Sequence, residues 1–240
     1  KLLGDGRTVK SKTIESNKAL KPKKLPELQE QFIPTNLPEG WTYFQLQDLI
    51  TKMDAGWSPA CPPEPSTSDA VWGVLKTTAV QPMVYWEHEN KVLPEPLEPR
   101  EQYEVKAGDI LITRAGPKNR VAICCAVEET RPKLMISDKI IRFHMVDVGI
   151  SSRFVAMALN VGNTANYLES TKSGMAESQM NISQDKLKAA PICLPPISEH
   201  QAIVKEVDRL LKICGDLRTA IPEAEQITIS IADTLTSKIH

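Results

Sequence analysis

The sequence predicts a mixed α/β fold in which a strand-rich domain with short helices precedes one long C-terminal helix. Three observations carry that expectation. Short apolar runs bounded by Gly, Pro, Asp and Ser recur through residues 71–146, at strand rather than helix length. Eighteen prolines in 240 residues exceed the usual share of about 5% and cut the chain into many short elements. From Ser198 onward the pattern changes, and apolar residues step by four and three as along one side of a helix.

Taken in order, residues 1–36 have little apolar periodicity and carry Pro22, Pro26 and Pro34, so they are expected to be a basic linker or the tail of an upstream element. A short helical turn is expected there at "PELQEQF". The ordered domain is expected over 37–196 and opens with "LPEGW". "TYFQLQDLI" reads as a strand turning into a short helix, and 54–70 as a Pro/Ser-rich loop. The following strand candidates are "VWGVLKTTAV", "MVYWE", "DILIT", "VAICCAV" and "DKIIRFHMV", with an irregular stretch, "LPEPLEPREQYEVKAGD", between the second and third. Ser151 or Ser152 is a candidate N-cap for a helix with Phe154, Val155, Ala158, Leu159 and Val161 on its apolar side. "KSGMAESQMNIS" reads as a polar loop. Ser183 caps a helical turn over 184–188, and "APICLPP" is a closing strand stopped by Pro195 and Pro196.

The long helix is expected over 197–240. Ser198 and Gln201 have capping-box spacing. Ile203, Val207, Leu210, Cys214, Leu217, Ile221, Ala224, Thr228, Ile231 and Leu235 then follow a heptad seam without a slip. A helix packed only on its own domain needs a wider apolar stripe, so the seam predicts a coiled coil. Pro222 removes a backbone hydrogen bond and predicts a kink there.

Charge and composition restrict the function. The net charge is −1, yet residues 1–24 hold eight lysines and arginines against Asp5 and Glu15, so they carry +6 and the other 216 residues −7. Nucleic-acid contacts in the main body must therefore come from local basic loops. No apolar run reaches the roughly 18 residues a membrane helix needs. Five cysteines without a CxxC fit thiols in a reducing cytoplasm better than a disulfide frame. No GxGxxG, Walker loop or NPPY-like tetrapeptide follows a strand. The four histidines lie far apart and are expected to be surface or locally satisfied groups, and Cys124 and Cys125 small apolar strand residues. The chain reads as non-catalytic, with no cofactor and no metal expected.

One loop stands out. In "GDILITRAGPKNR" a buried strand breaks into Arg114, Lys118, Asn119 and Arg120 before the next apolar run. Arg can fork onto guanine O6 and N7, and Asn onto adenine N6 and N7, whereas Lys suits phosphate. Arg114, Asn119 and Arg120 are thus candidates for base contacts and Lys118 for a phosphate contact. Lys76, Thr77, Thr78 and Trp57 are weaker candidates for the same surface.

Together, "LPEGW", "GDILITRAG", "SDKIIRF" and "SGMAESQMNIS", with "LPPISEHQAIVKEV" leading into the long helix, resemble one half of the DNA-specificity (S) subunit of type I restriction–modification enzymes. The resemblance covers roughly residues 37–240. It implies a mixed α/β target-recognition domain that reads one part of a split duplex-DNA target, with catalysis left to partners. It also implies docking of methyltransferase (modification) subunits and, through them, of the restriction subunit. The helix would pair, through Ile203, Val207, Leu210, Leu217, Ile221, Ile231 and Leu235, with a second recognition half or a second copy. The single recognition domain suggests a C-terminal half or a natural half-length form. In this family "SGMAESQMNIS" precedes the conserved helix and is expected to anchor the domain to it. A different class, a non-catalytic assembly scaffold without sequence-specific DNA binding, accords with the −7 charge and the seam.

Overall fold

The computed structural model describes residues 30–33 and 35–237, with side chains described to residue 230. The basic stretch 1–24 and the side chains of Ile231 and Leu235 lie outside the described residues. A 3-10 turn at Glu30–Phe32 falls where a helical turn is expected, and the Phe32 ring meets Tyr167 edge-on at 5.5 Å. "TYFQLQDLI" becomes β1 (Thr42–Gln45) and α1 (Leu46–Leu49), and the chain continues directly into β2 (Ile50–Ala55). The Asp48 carboxylate accepts from the Gln45 N–H (3.1 Å), closing the first turn of α1.

The middle of the chain forms β3 (Gly73–Leu75), β4 (Val80–Gln81), β5 (Val84–Tyr85), β6 (Asn90–Val92), β7 (Ile110–Thr113) and β8 (Ala115–Gly116). Next come β9 (Cys124–Ala126), β10 (Leu134–Met135) and β11 (Ile140–Met145). Then follow α2 (Ser152–Asn160), α3 (Gly162–Thr171), β12 (Ser173–Gly174), β13 (Met180–Asn181), α4 (Gln184–Lys188), β14 (Pro191–Leu194) and α5 (Ile197–Ser237). The mixed α/β class is as expected. Ser151 and Ser183 accept from Phe154 N–H (3.2 Å) and Lys186 N–H (3.3 Å), as their capping positions require.

The frame is a four-stranded antiparallel sheet in the order β2–β11–β7–β9. Alternate side chains point to opposite faces. Ile110, Ile112, Ile141 and Phe143 meet the helical layer, including Leu46, Phe154, Val155, Leu159 and Leu168. Leu111, Cys125 and Ile140 meet Leu75, Val80, Leu134 and Ile136 on the other face. Both faces are covered, which is why "ILI" is apolar without alternation. The second face is covered by the small sheet β10–β3–β6 and the β4–β5 hairpin. β1 and β14 pair antiparallel and close the domain.

One buried charge is built into this frame. Arg142 is 4% exposed and donates to Asp54 Oδ1 (3.0 Å) and Oδ2 (2.7 Å) and to the carbonyls of Gln102 (2.7 Å) and Glu104 (2.6 Å). The buried Asp109 carboxylate lies 3.5 Å from it. All of these donors and acceptors are matched, so the sheet carries an ion pair without a stranded charge.

Several expectations shift. "VWGVLKTTAV" is not one strand: a 3-10 turn at Thr77–Ala79 separates β3 from β4. "VAICCAV" begins as a turn, with Ala122 at φ 64°, before β9. The helix after Ser151 is followed by a second helix, because Val161 is extended and Gly162 takes φ +60°. α5 starts at Ile197, earlier than a Ser198 cap allows: the Pro196 carbonyl accepts from Glu199 N–H (2.9 Å) and His200 N–H (3.2 Å).

The first turns of α5 dock on α2. The His200 ring stacks on Phe154 at 4.6 Å and is 1% exposed, so it is neither a surface histidine nor, at its ring nitrogens, hydrogen-bonded. Arg153 Nε donates to Asp208 Oδ1 (3.0 Å), and Arg153 Nη1 to Glu128 (2.8 Å). Ile203 and Val207, the first two seam positions, are half-buried, and Ile203 packs on its own domain's core. From Arg209 to residue 230 the helix stands clear, with Leu210, Leu217 and Ile221 each about half exposed. Leu211, Ile213, Ile227 and Ile229 flank the seam and are exposed too. α5 runs through Pro222 without ending.

Candidate nucleic-acid interface

Antiparallel register gathers several loops at one end of the central sheet. Ala55 lies opposite Ile141, Thr113 opposite Ile140, and Ile112 opposite Cys124. The chain that leaves β2, leaves β7, enters β9 and enters β11 is therefore brought to the same edge. The 114–120 loop sits here on a rigid base. Its ends are clamped by Thr113 N–H to the Ile123 carbonyl (3.0 Å) and by Ala122 N–H to the Thr113 carbonyl (2.8 Å).

Arg114 is half-buried at the rim. Its main chain is fixed on both sides, donating to the Lys139 carbonyl (2.8 Å) and accepting from Ile182 N–H (2.9 Å). Its guanidinium has no partner among the described residues. Asn119 is exposed, and its amide likewise has none. Lys118 differs: its Nζ lies 3.3 Å from Glu177 and 3.9 Å from Glu169, so its charge is already shared.

The sequence places Arg120 at the bases with Arg114, but its guanidinium is occupied inside the domain. Nη2 donates to the carbonyls of Thr77 (2.9 Å) and Val80 (2.8 Å), and Nη1 to Gln81 Oε1 (3.1 Å), while Nε is buried without a partner. These bonds fold Thr77–Ala79 into its turn and bring Lys76, Thr77 and Thr78 beside the loop. Lys76 Nζ lies 3.4 Å from Glu89, whose carboxyl also accepts from the Thr78 hydroxyl and is held below its ordinary value, chiefly by that Thr78 bond and then by Lys76. Trp57 is half-buried, with the Arg100 guanidinium 4.2 Å above its ring. By their side chains the eight candidates fall into three without a partner among the described residues, Arg114, Asn119 and Thr77 (whose carbonyl alone is taken by Arg120), and five whose polar groups or ring faces already have intramolecular neighbours.

"SGMAESQMNIS" also changes role. It is expected to anchor the domain to α5, yet it forms the β12–β13 hairpin, and β13 pairs with β8: Asn181 lies opposite Ala115 and Met180 opposite Gly116. Gly174 is required here, since a Cβ would sit 2.2 Å from the Gln179 carbonyl oxygen. The hairpin tip presents Met175 fully exposed beside the Arg114 loop. Sequence periodicity over two-residue strands carries no signal for this pairing.

A cavity of about 390 Å³ opens next to the same loop, and Lys76, Lys91 and Lys139 line it with Ser58, Thr77 and Ser137. Lys91 and Lys139, from β6 and the turn just before β11, are residues the sequence pattern does not single out. Among the described residues no cluster of His, Cys, Asp and Glu could hold a metal ion, and no helix is long and apolar enough to cross a membrane.

Residues 38–226 match the family described as "Type I restriction modification DNA specificity domain". The chain belongs to this family. A specificity-domain relative, the type I restriction enzyme EcoEI specificity subunit of Escherichia coli, is 52% identical over 227 residues, 95% of this chain and 38% of that protein. The EcoAI specificity subunit of Escherichia coli is 23% identical over 229 residues, again 95% of this chain and 38% of the relative. The chain thus spans about two fifths of the length of these relatives. Among solved structures, the HsdS subunit from Thermoanaerobacter tengcongensis matches with a TM-score of 0.58 at 17% identity, over 80% of this chain and 47% of that one. The type I restriction–modification S subunit from M. genitalium matches with a TM-score of 0.51 at 13% identity, over 78% and 43%. At that identity the likeness concerns the specificity-domain fold.

Proposed function

We propose that this specificity domain reads one part of a split duplex-DNA target and leaves catalysis to partner subunits. The observation that supports this most is the pairing of a fixed main chain with free side chains at one loop: Arg114 and Asn119 stand on the sheet end with no intramolecular partner among the described residues. Free guanidinium and amide groups on a rigid base suit bidentate contact with guanine and adenine edges in a major groove about 12 Å wide. Arg120 enters this reading as a positioning residue that holds the neighbouring turn, and Lys118, Lys76, Thr77, Thr78 and Trp57 as flanking contacts. Methyltransferase subunits, and through them a restriction subunit, are the partners that family membership suggests, and the setting is the cytoplasm. The exposed part of the α5 seam is the surface for a second recognition half or a second copy.

The test is selection from a random duplex library by the full chain, with and without the modification subunit. A short asymmetric half-site, bound with strong salt dependence, is the expected result. A scaffold that assembles through α5 without reading DNA enriches no sequence, and that result would displace this reading.

A further inference from the structure

We propose that the cavity lined by Lys76, Lys91 and Lys139 is a phosphate site that grips the DNA backbone beside the base-reading loop; this rests on the DNA-reading function proposed above. The three lysines come from three separate places, the β3–β4 turn, β6 and the turn just before β11, and line one cavity of about 390 Å³. Lys76 shares its charge with Glu89 at 3.4 Å. Lys91 and Lys139 have no carboxylate partner among the described residues, in a chain whose residues 25–240 sum to −7.

The other polar groups of the cavity do not meet that need. The Ser58 hydroxyl is turned onto the Asp138 carboxylate and accepts in return from the Asp138 N–H (3.1 Å). Cys61 also lines the cavity, but burial raises its thiol above its ordinary value despite the opposing pull of Lys91, so it supplies no anion. Lys91 and Lys139, lining one cavity with only Lys76 paired to a carboxylate, leave an excess of positive charge there, and an anion with several oxygens relieves it. A phosphodiester has two such oxygens and matches ammonium donors that act as point charges.

Position selects the duplex as the source of the phosphate. Arg120 fastens the Thr77–Val80 turn, whose Thr77 and Thr78 line the cavity, to the loop that carries Arg114 and Asn119. The Lys139 carbonyl accepts from Arg114 N–H (2.8 Å), so cavity and loop share a main-chain bond. A backbone grip there sets the register in which Arg114 and Asn119 meet base edges.

The experiment measures duplex binding by the full chain, by Lys91→Ala/Lys139→Ala, and by Lys106→Ala as a control at the opposite end of the sheet. Thermal unfolding checks that each variant is folded. The double variant is expected to lose affinity equally for preferred and unrelated duplexes, with a salt slope shallower by about 1 for each phosphate it no longer neutralises. The half-site preference stays unchanged. If the double variant behaves like Lys106→Ala while Arg114→Ala still alters the preference, the phosphate site is refuted and the DNA-reading function stands. A changed half-site preference in the double variant also overturns it, by making these lysines base readers. Saturable inorganic phosphate binding at Lys91 and Lys139 with duplex affinity unaltered in the variant assigns the cavity to a small anion and overturns it too. A parent chain that selects no half-site removes both readings.

Discussion

Arg120 donates through Nη2 to the Val80 carbonyl at 2.8 Å, joining residues forty positions apart. The same nitrogen reaches the Thr77 carbonyl at 2.9 Å, and Nη1 reaches Gln81. A side chain whose sequence context suggests DNA contact therefore serves as the fastener of a turn. Arg120→Ala should cost about 1–3 kcal/mol of unfolding free energy, because the buried Val80 carbonyl and its neighbour lose their donors. Urea denaturation measures this. An unchanged midpoint together with an altered half-site would return Arg120 to base contact.

Arg114 and Asn119 should show the opposite behaviour. Neither side chain holds the fold, so Arg114→Ala and Asn119→Ala should unfold like the parent chain. Each should lose about 1–3 kcal/mol of discrimination at one base position if its contact is bidentate. Binding to a panel of single-base variants of the selected half-site reads this out. Equal losses on every duplex would instead make the contacts phosphate contacts.

His200 links α5 to the domain and should make that joint sensitive to acid. Burial against Phe154 holds its pKa below the ordinary 6.5, although the Glu199 charge pulls upward. The unfolded chain therefore takes up the proton first. This contribution to stability is complete above about pH 6.5 and declines as pH falls from there toward the folded-state value. His200→Phe keeps an aromatic stack without a titrating group. The difference in urea midpoint between about pH 7.5 and about pH 5.5 should be smaller in His200→Phe than in the parent, and an equal difference in both would exclude His200 as its source.

The free part of α5 should carry association. Leu210, Leu217 and Ile221 are exposed along one seam, and burying such a side chain stabilises by about 1.5–3 kcal/mol. Leu210→Asp with Leu217→Asp should abolish any self-association or pairing with a second half, as followed by sedimentation. Ile203→Asp should act differently, by loosening α5 from its own domain, because Ile203 already packs there. Unchanged mass after the double substitution in an associating preparation would rule the seam out.

What the sequence determined by itself is local. The run at 110–112 is a core strand, Ser151 and Ser183 cap helices, and the four-and-three spacing after Pro196 marks a long helix. Each of these signals acts within one or two turns of chain, where periodicity and capping chemistry operate. The loop carrying Arg114 and Asn119 is equally legible, since charged residues interrupting a buried strand pair need no distant partner to be noticed. The tertiary structure decided which of those charges remain free. Thr77 and Val80 capture Arg120, Glu177 and Glu169 share Lys118, and β13 pairs with β8 to bring Met175 beside the loop. It also decided that Ile203 packs at home while Leu210 stands exposed, and that Lys91 and Lys139 meet Lys76 in one cavity. These outcomes depend on hydrogen bonds and charges between residues tens of positions apart, whose proximity is set by sheet register, and a strand's own sequence does not encode its neighbours' register.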